Sequence, residues 1–148
     1  MRNTWMVMSF TVLFMGCAGS RPALLGITNG KFTPCPDSPN CVCSQYPDQS
    51  HKIEPLTYKG SPEEARTRLL GVIQSMKRAK VVTAGVRYLH IEFTSAVFRF
   101  VDDAEFFIDD AQKLIHMRSA ARLGYYDFGV NRKRLETIRQ IFNGAASL

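Results

Sequence analysis

Four strand-like runs, at about 80–84, 88–95, 104–109 and 113–119, follow one another with little chain left over to join them. Parallel neighbours need a crossover of a dozen or more residues, so runs this close pair antiparallel, as successive hairpins. Gly85-Val86 separates the first two. Residues 97–101 prolong the second, 101–103 lead into the third, and Asp110-Ala111-Gln112 turns into the fourth. Tyr88, His90 and Glu92 alternate with Leu89, Ile91 and Phe93, which gives this part of the sheet one buried face.

Two helices flank the hairpins. Ser61-Pro62-Glu63-Glu64 is a helix start, with Ser61 as N-cap, proline at the first position and Glu64 closing a capping box. Ala65, Leu69, Val72, Ile73 and Met76 then recur at helical spacing. A second helix opens at Asn131, read as its N-cap, and carries Leu135, Ile138, Ile141 and Phe142 on one side. A short strand over 53–58 precedes the first helix. The order β-α-β-β-β-β-α describes an α+β domain: an antiparallel sheet of four to five strands with two helices on one face. That order matches a TATA-binding-protein-like topology, a likeness of shape and not of function.

The first sixteen residues, M-R-N-T-W-M-V-M-S-F-T-V-L-F-M-G, combine a positive start with an apolar run. The run is too short for an ordinary spanning helix and reads as a signal peptide over 1–16. It ends in L-F-M-G-C, which resembles a lipoprotein box with Cys17 as the acylated thiol, although Phe14 stands where leucine is usual. Residues 17–33 then read as a tether and 34–145 as one globular domain. Ala18 after the cysteine points to the outer membrane, facing the periplasm, in a Gram-negative cell. The expected partners are a lipid bilayer through acylated Cys17 and an anionic ligand or envelope protein. A net charge of +6 suits such anionic partners, and export argues against nucleic acid.

The segment K-F-T-P-C-P-D-S-P-N-C-V-C holds three prolines and three cysteines. Its prolines rule out helix, and a loop without a core of its own needs a staple. An exported location favours a disulfide. Cys35–Cys41 is the leading pairing, with Cys43 able to replace Cys41. A metal site from Cys35, Cys41, Cys43 and His51 is the alternative, weakened because C-x-C differs from the usual zinc spacing. No cofactor is expected.

Chemistry-bearing residues gather late in the chain. Residues 118–139 crowd Arg118, Arg122, Arg132, Lys133, Arg134 and Arg139 around Asp127. Three of these cations fall at a helix start, where the dipole disfavours them unless an anion sits close. The anion is either internal, from Asp102, Asp103 and Asp127, or a ligand held at the helix start. Asp102-Asp103 read as a pair at a turn, able to shape it or to act as acid and base. Tyr125-Tyr126, between Gly124 and Asp127, can line a cleft or pack in the core. His90 and His116 read as strand residues on the polar face and His51 as a loop residue. Phosphate-loop, zinc-protease and nucleophile-elbow motifs are absent from the sequence.

C-P-D-S-P-N-C-V at 35–42, F-V-D-D at 100–103 and R-S-A-A-R-L-G-Y-Y-D-F-G-V-N-R-K-R at 118–134 together resemble the domain of unknown function 1499 family over about 32–142. The family pattern has serine in place of Cys43 and of Ala121, and so implies Cys35–Cys41 as the bridge. Its recurring residues fall on Asp102, Asp103, Arg118, Ser119, Arg122, Gly124, Tyr125, Asp127, Gly129, Asn131, Arg132 and Arg134. The family implies export and frequent lipidation but no reaction. Three readings follow. The first is an envelope lipoprotein binding an anionic ligand or partner through Arg118, Arg122, Tyr125, Asp127, Asn131, Arg132, Arg134, Asp102 and Asp103. The second is a hydrolase or transferase using Asp102, Asp103 or Asp127. The third is a structural interaction domain with an internal Arg–Asp network.

Overall fold

The hairpins form where the short connections require them. The computed structural model describes residues 19–22 and 25–144; the expected signal peptide, its cleavage box and Cys17 lie outside the described residues. The elements are β1 (Ile27–Thr28), β2 (Lys31–Phe32), β3 (Cys41–Cys43), β4 (Leu56–Thr57), α1 (Pro62–Ser75), β5 (Ala79–Ala84), β6 (Tyr88–Thr94), β7 (Val101–Asp109), β8 (Leu114–Ala121) and α2 (Val130–Phe142). The fold is α+β. β5 to β8 form an antiparallel meander, and β3 and β4 share the outer edge of β8.

The sheet therefore has six strands, with β1–β2 as a separate hairpin, more than the four or five expected. β3 escapes sequence reading because prolines on its N-terminal side mask a strand of three residues. The strand expected over 53–58 shrinks to the two residues of β4. Residues 95–100 form a loop rather than an extension of β6, and β7 begins at Val101. Asp102 and Asp103 consequently lie inside a strand and not at a turn. Successive strand residues face opposite sides, so this adjacent pair is split between the two faces of the sheet.

On one face, Leu89, Ile91, Phe93, Ala104, Phe106, Ile108, Ile115 and Met117 pack against Ala65, Leu69, Val72 and Ile73 of α1 and Leu135, Ile138 and Phe142 of α2. Each large side chain taken out of water here stabilises the fold by about 1.5–3 kcal/mol. α1 starts at the predicted capping box, with Ser61 and Glu64 bonding each other's backbone N–H.

The opposite face differs. Cross-strand register aligns Cys43, Arg118, Glu105 and His90 in one row and Cys41, Ala120, Asp103 and Glu92 in the next. Most sheet faces with this much charge are left to water, but the N-terminal segment covers this one. Phe32 packs there with Cys35, Cys41 and Cys43, beside Ile27, Tyr46, Tyr88 and Phe107. Gly26 N–H donates to Glu105 at 2.7 Å, and Arg21 pairs with Glu92 at 2.7 Å. Part of the 25–33 segment thus packs on this face of the sheet. Cys35 and Cys41 form the disulfide, which removes two ligands from the alternative metal site, and Cys43 is free and buried. Burial pushes the Cys43 thiol up. His90 and His116 on the polar strand face and His51 in its loop are all buried.

Candidate functional site

The corner where β8 passes into α2 brings most of the expected site residues together, but it directs them inward. Arg122, just past the end of β8, donates through Nε and Nη2 to both oxygens of Asp103, each at 2.7 Å. Its Nη2 also reaches Glu92 at 2.6 Å. Asp103 Oδ1 meets Nε2 of His90 at 2.7 Å. Burial opposes ionisation of Asp103, but the hydrogen bonds from Arg122 and His90 outweigh it and hold the carboxyl below the usual range. The Arg122 hydrogen bond likewise lowers Glu92, and Asp103 raises Arg122. Only 7% of the Arg122 side chain and 1% of Asp103 are exposed.

One row along the sheet, Arg118 pairs with Glu105 at 2.9 Å. Glu105 also accepts from the Tyr88 hydroxyl at 2.8 Å. Burial, reinforced by Glu105, pushes the Tyr88 phenol up. Nε of Arg118 is the single buried side-chain polar atom without a partner among the described residues.

On the helix side, Arg134 donates to Asp102 at 2.6 Å and to Asn131 Oδ1 at 2.6 Å. Its guanidinium lies 4.7 Å above the Phe93 ring, so cation–π attraction adds to the ion pair. Burial raises the Asp102 carboxyl, with Arg134 opposing the shift. Asn131 is not the N-cap. That position belongs to Gly129, whose φ of 74° is left-handed, a conformation glycine adopts without steric cost. Asp127 does the capping work instead, accepting the N–H groups of Gly129 at 3.0 Å and Asn131 at 2.9 Å. The fully buried Asn131 donates through Nδ2 to Asn40 and Asp127, tying the disulfide loop to the helix start. Arg132 donates to the carbonyls of Lys52 and Ser50, and Arg139 to those of Pro55 and Glu54. Of the three cations at the helix start, Arg132 and Arg134 are thus answered internally.

What the corner shows to solvent is aromatic. Among the described residues, eight of the nine exposed large hydrophobics lie in the 95–100 loop or along 123–130: Val97, Phe98, Phe100, Leu123, Tyr125, Tyr126, Phe128 and Val130. Phe98 and Phe100 stack at 5.6 Å, and Tyr126 meets Phe128 edge-on at 5.1 Å. Between them lies a cleft of about 340 Å³ lined by Phe98, Phe100, Tyr126 and Phe128, with Asp102 and Asp127 also in its wall. Tyr126 lines the cleft as one reading allowed, whereas Tyr125 stands exposed outside its lining. Arg99 and Phe128 take left-handed φ values of 59° and 55°, which is uncommon outside glycine and a genuine outlier for so bulky a residue as Phe128. Backbone held in such conformations collects at ligand clamps and switch regions.

The arrangement therefore joins a buried relay of Glu92, Arg122, Asp103 and His90 to an open aromatic rim. His90 and Glu92 carried a signal in their alternation with apolar residues, but nothing local announced that their face would be covered. Among the described residues no cluster of His, Cys, Asp and Glu could hold a metal ion, and no helix is long and apolar enough to cross a membrane. The family model for a protein of unknown function, DUF1499, matches residues 31–142. No curated protein and no solved structure matches.

Proposed function

The chain belongs to the DUF1499 family, and from that premise we propose that it is an envelope lipoprotein, anchored through acylated Cys17, whose domain is a binding module. In a Gram-negative cell it would sit on the outer membrane facing the periplasm. The Arg118, Arg122, Arg132 and Arg134 guanidinium groups form its internal scaffold, with Asp102, Asp103 and Asp127 as carboxylate partners and helix cap. The binding surface is the aromatic rim around Phe98, Tyr126 and Phe128. The observation that carries this reading is the contrast in exposure: the arginines are engaged inside, while an apolar surface of this kind is left open, and such patches mark interaction sites.

Thermal unfolding of the full chain with inorganic phosphate tests the reading, together with the mass of its N-terminus. We expect no saturable rise in melting temperature with phosphate, diacylation of Cys17, and an unchanged melting temperature in the Phe98→Ser, Phe128→Ser double variant. A phosphate-dependent rise abolished by Arg132→Gln would return the site to the arginines as an anion pocket.

A second reading, hydrolysis of an anionic envelope substrate, draws on one observation: Asp102, its carboxyl raised by burial, lines the cleft beside Asp127. Asp102→Asn would abolish turnover in that case while the domain still folds, as far-ultraviolet circular dichroism would show.

A further inference from the structure

We propose that the aromatic rim is the face on which the domain rests against the lipid bilayer, with the rings in the headgroup–acyl boundary. The inference rests on the lipid-anchor reading for the position of the membrane. It adds which surface meets the membrane and how the domain is turned.

The path of the chain supplies the first argument. A side-chain carbon built on Gly19 would lie 3.0 Å from Cγ of Leu123 and 3.2 Å from Cβ of Arg122. Gly19 therefore sits directly against the rim, and two residues later Arg21 is pinned to Glu92. Cys17 lies two residues before Gly19, a reach of about 7 Å even when fully extended. Acyl chains on Cys17 would enter the bilayer beside Leu123, too close for the opposite end of the domain to be the end that faces the membrane.

Composition supplies the second. Tyrosine rings settle at the headgroup level of membrane interfaces, and phenylalanine and leucine make the apolar side of surfaces that enter the acyl boundary. Arg99, between the stacked Phe98 and Phe100, is exposed, and Lys133 and Lys77 line or adjoin the same end beside Val130. Among the described residues these three cations have no carboxylate partner. Free cations around an apolar face suit anionic headgroups. The two acyl chains expected on Cys17 already suffice for anchoring, so a rim docked beside them sets how the domain is turned.

Tryptophan reporters on the full chain test this, in a Trp5→Phe background because Trp5 is the only tryptophan in the sequence. Phe128→Trp places the reporter on the rim. Val86→Trp places it on another exposed apolar residue, in the β5–β6 turn at the opposite end of the sheet. Each protein is reconstituted in vesicles of phosphatidylethanolamine and phosphatidylglycerol carrying brominated acyl chains. The expected result is a blue shift and loss of emission for Phe128→Trp, with Val86→Trp quenched only by aqueous acrylamide. Equal acrylamide quenching of both reporters, with Cys17 shown by mass to be acylated, would overturn the docking and leave the anchor standing. Lipid quenching of Phe128→Trp with Cys17 unmodified would support docking and sink the anchor. A Phe128→Trp reporter already shielded in detergent-free buffer without vesicles would show that the apolar leader or a second copy covers the rim, and would overturn the proposal.

Discussion

The polar side chains and the apolar ones of residues 118–134 occupy the places usually held by each other. Asn131 is fully buried and Arg118 is 7% exposed, whereas Tyr125 is 72% and Phe128 85% exposed. Both choices are unfavourable taken alone. A charge removed from water loses several kcal/mol of hydration unless close partners compensate it, and an exposed aromatic ring forgoes the gain of burial. The interior half resolves its problem with geometry, since Arg122 and Arg134 each bind carboxylates at 2.6–2.7 Å. The rim has no such internal resolution. The difference separates roles: the buried half holds the two loops in place, and the open half is what they are held in place to present.

Breaking the buried half should have the largest effect. Arg134→Gln leaves Asp102 without its guanidinium and removes a bond to Asn131, so we expect a loss of about 3 kcal/mol in denaturant unfolding. Restoring neutrality with Asp102→Asn in the same chain should recover part of it. A loss no larger than that of an exposed ion pair, under about 1 kcal/mol, would blur the distinction between the halves.

Acid should erode the same half more gently. Glu92 and Asp103 are held below their ordinary values of 4.5 and 3.8. A carboxyl depressed by folding adds stability that is present above its unfolded value and is lost as pH falls through the folded one. Melting temperature should therefore decline from about pH 4.5 downward through the native values. Asp102, raised by burial, has the opposite sign and opposes that decline over its own titration, so Asp102→Asn should steepen it. A flat profile into strong acid would mean that these pairs contribute nothing to the fold.

Much of this architecture was legible in local patterns. The capping box at Ser61 is a complete statement within a few residues, and the structure follows it. The alternation of 88–93 places Leu89, Ile91 and Phe93 on the core face as read, but the other face is covered as well. The corner was legible only as a crowding of charge. Its resolution depends on Glu92, Glu105 and His90, which come from other strands and from a face whose covering by Phe32 and Gly26 leaves no periodic trace. Asp102 and Asp103 were misread because the start of β7 was placed three residues late, and a strand boundary decides which face each residue joins. Asn131 was misread because a glycine in left-handed backbone, served by an aspartate two residues before it, closes the helix without the usual capping side chain. The rim aromatics sit in loops, where no period distinguishes a ring that packs from one that waits for a partner.

A double-mutant cycle on Arg122 and Asp103, using Arg122→Gln, Asp103→Asn and both together in equilibrium unfolding, tests the central claim most directly. Groups sharing one buried network couple by about 0.5–3 kcal/mol. We predict a coupling in the upper half of that range, with the double variant losing less than the sum of the two single losses. Additive losses, or a stability gain on removing Arg122, would contradict the account and mean that the guanidinium is held in the structure for a ligand.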